Sequence, residues 1–351
     1  MIVANERQAA SKTRGKYVVF ERDGLKYAKV LRNDYDMPVK VTKDDLTVSE
    51  PATAEKIIQK IEVFGGCIVK NYLSAEVTDA IYADAKPYLD QDTSWDGTFF
   101  PPETRRTAGM CVKSKICAEK FLTHELNVAV SNAFLGREDA VWSGDEIVEG
   151  YSPPQHNCTI TFRIGPGAKD QVLHRDDGIH HNIHKHRDSY HYGDDSALGM
   201  VLGLTRTTRA NGATRFVPGS HLWDHWRKPS KDEVVYAELD KGDCFFMLAS
   251  CFHGGSANTT EDEYRTVTIL FMTLGTLRQE ENIMLGTPIE YFKSLPVETL
   301  KLLGLTPSEP FLGYIDFKDP LALLKPEEHA KENKDLRGTA YTGILVDSFT
   351  A

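Results

Sequence analysis

Apolar residues are spaced in two different ways along the chain. In the first third the period is mostly helical. Ala54 to Phe64 suits a helix, and Ser74 is a good N-cap for a second, in which Val77, Ile81, Ala85 and Tyr88 recur on one face. Residues 118–134 predict a third, on Phe121, Leu126, Val130 and Phe134. Two strand signals stand among these helices. "KYVVFERDGLKYAKVL" reads as a hairpin around Asp23-Gly24, and "GGCIVKNYL" as a buried strand. After residue 140 the texture changes. "CTITFRIGPG", "ALGMVLGLTRT", "TRFVPGSH", "VVYAELDKGDCFFMLAS" and "YRTVTILFMTLG" are runs of β-branched and aromatic residues separated by Gly, Asp and Asn turns. Short strands without long helices between them predict an antiparallel sandwich or barrel, not a βαβ sheet. Beyond residue 275 a short helix near "PVETLKLLGL" and Pro-punctuated loops are expected to wrap that core. No repeat or low-complexity linker interrupts the chain. One domain over 1–351 is expected: a hairpin and extension (1–52), helices and the β core (53–275), and a wrapping segment (276–351).

Composition narrows the function. Hydrophobic residues make up 41% and charged residues 26%, as in soluble globular proteins. No apolar run nears the roughly 20 residues that span a bilayer, and the first residues lack the apolar stretch of a secretory signal. The six cysteines, Cys67, Cys111, Cys117, Cys158, Cys244 and Cys251, form no CxxC pair and read as reduced thiols of a cytoplasmic protein. The sequons at Asn157 and Asn258 are then idle. A formal charge of −10 disfavours nucleic acid, whose phosphates need a basic face. No membrane partner is expected, and a small molecule is the expected substrate.

The candidate chemistry lies in "DQVLHRDDGIHHNIHKHRDSYHYGDD", residues 170–195, which holds six of the twelve histidines. On an extended chain His174 and Asp176 point the same way, with Arg175 turned outward. A third ligand must come from a distant strand. His253 ends the apolar run "GDCFFMLASCF" and precedes Gly254-Gly255, where the backbone can turn closely. Two histidines and one carboxylate with open positions form the ligand set of non-haem Fe(II) oxygenases. Twelve residues later, Arg265 opens "YRTVTILFM" on the same face as Val267 and Ile269. A charge heading an apolar face needs an anionic partner, and the far carboxylate of a dicarboxylate cosubstrate would pair with it bidentately. Each feature alone has a plainer reading. HxD is common, strand-end histidines are usually just hydrogen-bonded, and an inward arginine can pair with a structural acid. Their order along the chain favours the metal. His180 and His184 stand at i, i+4, but without HExxH; that loop reads as a polar border of the site, where His181 or His184 would touch substrate.

With "GGCIVKNYLSAEVTDAIYADAKPYL", "PGAKDQVLHRDD", "NGATRFVPGSHLW", "GDCFFMLASCFHGGSANTT" and "YRTV" in this order, the sequence resembles the phytanoyl-CoA dioxygenase-like family of Fe(II)/2-oxoglutarate oxygenases. It is most similar to their microbial and fungal secondary-metabolism branch, over roughly residues 55–320. The resemblance implies a mainly β fold with flanking helices around a double-stranded β-helix, a cupin-like jelly roll. It implies Fe(II) on His174, Asp176 and His253, and 2-oxoglutarate with its distal carboxylate on Arg265. Thr214 resembles the hydroxyl that assists Arg265, and Gln171 the glutamine beside the keto acid. Val267 stands where some relatives have a serine two residues after the arginine, which leaves that second contact to Thr214.

The implied reaction consumes O2 and 2-oxoglutarate, releases succinate and CO2, and attacks an unactivated C–H bond; ascorbate is the expected reductant in vitro. Asp176 fills the carboxylate position, so no place is left for chloride and halogenation is disfavoured. Hydroxylation is the default outcome, while desaturation, rearrangement, epimerisation and endoperoxidation share the same iron site. A small lipophilic metabolite of natural-product biosynthesis is the expected substrate, with Met110, Tyr151, Phe162 and His181 as candidate contacts and Phe99, Phe100, Trp223 and Trp226 beside them. Arg105 and Arg106 read as a solvated pair. A homodimer is expected. Two other readings stand beside this one: a protein or acyl-CoA hydroxylase of the same fold, and a catalytically silent metal-binding jelly-roll protein.

Overall fold

The computed structural model describes residues 41–332 apart from Thr98 and Pro310, together with the strands β1 (Lys16–Arg22) and β2 (Leu25–Leu31). These two pair antiparallel from Lys16↔Leu31 to Arg22↔Leu25, as the hairpin reading requires. The helical first third follows: α1 (Lys43–Leu46), α2 (Ala54–Phe64), strand β3 (Gly66–Val69), α3 (Ala75–Gln91), strand β4 (Thr104–Ala108), α4 (Met110–Lys113) and α5 (Glu125–Leu135). Thr53 caps α2 by accepting the Lys56 N–H, and Gly65 ends it at φ 77°. A side chain at Gly65 would collide with Cys251 and His221, so only glycine turns the chain so sharply into β3.

Two helical expectations shift. α3 starts at Ser74 as the cap predicts, but its buried face is Thr78, Ile81, Ala85 and Leu89, and Tyr88 is exposed. The single helix expected over 118–134 is broken. Cys117–Leu122 winds as a π-helical turn, and α5 begins only after His124, whose Nδ1 accepts the Leu126 N–H. Asn127 explains the break, because its side-chain amide donates to the Leu122 carbonyl at 2.6 Å and satisfies the end of the first segment.

The remaining strands are β5 (Arg137–Ser143), β6 (Glu146–Ser152), β7 (Gln155–Ile164), β8 (Ala197–Gly203), β9 (Thr214–Phe216), β10 (Val235–Ala237), β11 (Cys244–Leu248), β12 (His253–Gly255) and β13 (Arg265–Thr273). Six form one antiparallel sheet in the order β3-β11-β8-β13-β7-β4, and three form a smaller one, β10-β9-β12. The small sheet gains an edge from residues 167–174, which exchange backbone hydrogen bonds with β12 and Asn258. Helices α2, α3, α4 and α5 pack on the large sheet, and residues of both sheets wall a cavity between them. The fold is therefore mainly β with flanking helices.

β4 and the β5–β6 hairpin escape the sequence reading. β4 is "TRRTA", polar because it is an edge strand; its Arg106 is not solvated but bonded to Asp92 at 3.2 Å and laid over Trp95 and Phe100. After β13 come α6 (Ile283–Gly286), α7 (Ile289–Ser294), α8 (Val297–Leu302), α9 (Leu321–Leu324) and α10 (Pro326–Glu332). α8 is the helix expected at "PVETLKLLGL", and it packs on β7 and the π-helical turn. One hydrophobic cluster runs from Leu46 to Leu324. All six cysteines are buried and free, and Asn157 and Asn258 are buried too, beyond reach of glycosylation. Among the described residues no helix is long and apolar enough to cross a membrane.

Candidate metal centre

Strand pairing delivers the site. His174 and His253 form an antiparallel bridge, each N–H donating to the other's carbonyl at 2.9 Å. Gly254 permits this closeness, since a Cβ there would lie 2.9 Å from the Val172 carbonyl. The chain then turns into a short 3-10 helix (Asp176–His180), anchored by the Asp176 N–H on the Ala249 carbonyl at 3.0 Å, and the Asp176 carboxylate faces both rings. Its oxygens lie 3.3 Å from His174 Nε2 and 3.1 Å from His253 Nε2. Burial pushes the Asp176 carboxyl up, but the two imidazoles outweigh it and hold the group well below the usual carboxylate range. Burial likewise depresses His253, and the Asp176 charge more than offsets it.

These three residues fit a cation. His174 Nδ1 lies 2.8 Å from the Val172 carbonyl and His253 Nδ1 3.1 Å from that of Cys251, contacts that only an N–H can make. In the neutral ring the proton is therefore on Nδ1, and Nε2 presents a lone pair. Two lone pairs converge on a carboxylate, and the Asp176 Oδ2 is buried without a hydrogen-bond partner. A metal ion at their centre satisfies all three. No other group of three or more His, Cys, Asp or Glu ligand atoms gathers this closely among the described residues.

The same cavity, about 430 Å³, contains Arg265. Arg265 is 3% exposed and its guanidinium donates from Nη2 to Thr214 Oγ1 at 2.9 Å, while its Nε is buried and has no partner among the described residues. Burial alone lowers it to about 10. Such a group is a ready receptor for a carboxylate.

The family profile of phytanoyl-CoA dioxygenase matches residues 61–267. The chain belongs to the phytanoyl-CoA dioxygenase family. It is 35% identical to the uncharacterized protein YJR154W of Saccharomyces cerevisiae, over 79% of this chain and 84% of that one. It is 34% identical to the dioxygenase cnsJ of Penicillium expansum, over 86% and 90%, and 37% identical to the dioxygenase himG of Aspergillus japonicus, over 76% and 85%. A structure of HygX from Streptomyces hygroscopicus with nickel and 2-oxoglutarate bound matches at a TM-score of 0.49 and 12% identity, covering 66% of this chain and 91% of that one.

In this dioxygenase, Gln171, His174, Asp176, Thr214, His253 and Arg265 all line one cavity, as does Phe162. Gln171 Oε1 accepts the Gly255 N–H at 3.1 Å. The other candidate substrate contacts lie elsewhere. Met110 is fully buried in α4, in the core behind the large sheet. Tyr151 is on the surface, its hydroxyl 2.5 Å from the Asn132 side chain. His181 is exposed, at φ 57° just past the 3-10 helix. Trp223 and Trp226 do not line the cavity, whereas Phe99 and Phe100 do, the Phe99 ring 5.3 Å from that of His174. Arg175 does not face outward: it lies over Phe252 and donates to the Ser220 carbonyl at 2.8 Å.

The histidine loop is engaged by protein partners. His184 Nε2 is 3.0 Å from the buried Asp177, His180 Nδ1 is 2.7 Å from Ser196 Oγ, and His186 and His191 meet Asp188 and Asp194. Sequence reasoning missed Cys158, Ile160 and Ile164, although they share the alternation of Phe162 along β7 and line the cavity with it. It also missed Glu280, for which the local pattern carries no signal.

Proposed function

We propose that this dioxygenase holds one ferrous ion on His174, Asp176 and His253 and binds 2-oxoglutarate with its distal carboxylate on Arg265 and Thr214. It then oxidises an unactivated C–H bond of a small lipophilic metabolite in natural-product biosynthesis. The observation that carries the reading is the pairing of a converging two-nitrogen, one-oxygen donor set with a buried arginine that receives no carboxylate from the described residues. That combination suits Fe(II) and a diacid together. When bound, the ion supplies O2 activation, so that R–H, O2 and 2-oxoglutarate give R–OH, succinate and CO2 in the hydroxylating case.

The chain's own residues bind, orient and exclude water. The carbonyls of Val172 and Cys251 fix both imidazoles with Nε2 turned to the ion. Thr214 steadies the guanidinium. Phe99, Phe100, Phe162, Ile269 and Phe271 keep the substrate side apolar, and a cavity of about 430 Å³ suits a small molecule better than a peptide. The two facing sheets support a jelly-roll core, and the continuous hydrophobic cluster supports one domain.

The test uses purified protein with Fe(II), ascorbate and 2-oxoglutarate, following succinate, with Mn(II) binding followed separately by electron paramagnetic resonance. Wild type is expected to bind one Mn(II) and form succinate. His174→Ala is expected to lose both. Equal Mn(II) binding by the two proteins sinks the reading.

A further inference from the structure

The cavity carries opposite charge at its two ends. Arg265 stands opposite Ile164 where β13 and β7 pair, and Glu280 meets β7 at Asn157 and Cys158. The six steps of strand from Cys158 to Ile164 span about 20 Å. Between the ends one wall is apolar, formed by Ile160, Phe162, Val201, Ile269 and Phe271, and the cavity is also lined by Lys169, Arg175 and the His174, Asp176 and His253 group.

Glu280 is held there by construction. β7 bulges at Asn157, where its register on β13 skips from Phe271↔Cys158 to Met272↔His156. The bulged Asn157 accepts the Glu280 N–H on Oδ1 at 2.7 Å and the Glu281 N–H on its carbonyl at 3.3 Å. Glu281 is pinned in turn by the Gly109 N–H at 2.9 Å. The backbone is fastened, while the Glu280 side chain is exposed at the edge of the cavity; among the described residues its carboxylate receives the Asn157 amide at 3.4 Å and the Cys158 thiol at 3.3 Å, both long and neither charged. Cys158 and Glu280 line the same cavity as His174, Asp176 and His253.

We propose that the substrate of this dioxygenase is a lipophilic amine, protonated at neutral pH, whose cationic nitrogen is received by Glu280. The inference rests on the oxygenase reading above, because the diacid must occupy the Arg265 end. A fatty acid or acyl thioester phosphate would then meet a carboxylate at the other end and be repelled. A neutral lipophile would gain nothing from Glu280. The amine alone uses both the apolar wall and the charge.

The test measures binding without turnover, by calorimetry on the Mn(II) and 2-oxoglutarate complex. The probes are N-benzyl-, N-(2-naphthylmethyl)- and N-octylpiperidine, each beside its N-acyl counterpart, which has a similar shape but no charge. At least one amine is expected to bind about tenfold tighter than its amide. The preference should fall towards one in Glu280→Gln and be partly kept in Glu280→Asp. It should also shrink with added salt in the wild type, a readout that needs no variant to fold. The proposal is overturned if no amine outbinds its amide, or if the preference survives in Glu280→Gln, which would assign it to the general negative charge of the chain. Binding of Mn(II) and 2-oxoglutarate is recorded first in the same cell, and its absence sinks the oxygenase reading instead. The amine preference is then read on the metal-free protein.

Discussion

Replacing Arg265 with methionine should weaken cosubstrate binding and strengthen the fold at the same time. Methionine keeps much of the volume and removes the charge. The guanidinium is fully desolvated, and burial depresses it from its ordinary 12.5 to about 10. At about 1.36 kcal/mol per pH unit, the metal-free protein carries a penalty of about 3 kcal/mol for burying this charge. The sign follows from protonation. Arginine is charged in both folded and unfolded chains below pH 10, so the penalty is constant through the neutral range and is relieved only in strong alkali. Losing the Thr214 hydrogen bond returns about 1 kcal/mol. The metal-free Arg265→Met protein should therefore be more stable by about 2 kcal/mol, a rise in melting temperature of about 3 °C for a chain of this length. The same change leaves an incoming carboxylate unpaired in an apolar cavity, which costs about 3 kcal/mol or more. Calorimetric titration of 2-oxoglutarate into the Mn(II) protein should then show a Kd raised about 100-fold or more. Retained diacid affinity would refute the assignment of Arg265. So would a metal-free variant that melts below wild type, because it would mean that the guanidinium is already satisfied by the protein.

Two further substitutions probe the surroundings. Thr214→Val keeps the shape and removes the hydroxyl that steadies Arg265; the KM for 2-oxoglutarate should rise about 5-fold, from about 1 kcal/mol of lost hydrogen bond, with kcat held, and succinate kinetics showing an unchanged KM would count against the contact. Asp195 is buried, and burial raises its carboxyl from 3.8 to about 6 against the hydrogen bond from Ser250, with the Asp177 charge adding to the rise. Between pH 4 and pH 6 the folded state thus keeps a proton that the unfolded chain has released, so stability falls as pH rises through that window, by about 3 kcal/mol in all. Asp195→Asn should melt above wild type at pH 7, with the gap closing towards pH 4; a gap independent of pH would refute the assignment.

The parts of the site that were legible in the sequence share one cause. The proposed metal ligands and the proposed carboxylate-binding arginine are polar residues placed at the ends of apolar strands, where they contradict the surrounding pattern. Alternation then gives the face each one takes. His174 and Asp176 share a side because one residue separates them, and Arg265 joins Ile269 and Phe271 because β13 is regular between them. Where regularity fails, so does the reading. Tyr88 against Leu89 on α3 is a shift of one position on the helix surface, set by packing on the sheet rather than by spacing. Met110 and Phe162 are equally apolar in sequence, but only Phe162 belongs to the β7 face that looks into the cavity.

Glu280 is the clearest case of what alternation cannot reach. Its place is determined by one extra residue in another strand, the bulged Asn157, whose side chain and carbonyl take hold of a segment 123 positions further along. A bulge adds a residue to one strand and leaves the composition of that strand unchanged, so "CTITFRI" gives no warning of it. Yet the bulge sets the charge at that end of the cavity. The two ends were thus written differently: Arg265 stands out against an apolar strand, whereas Glu280 sits in a polar segment and becomes meaningful only once the sheet is folded. If the substrate is an amine, the residue that selects it had to be found in three dimensions, and the salt dependence of the amine preference is where that claim is most exposed.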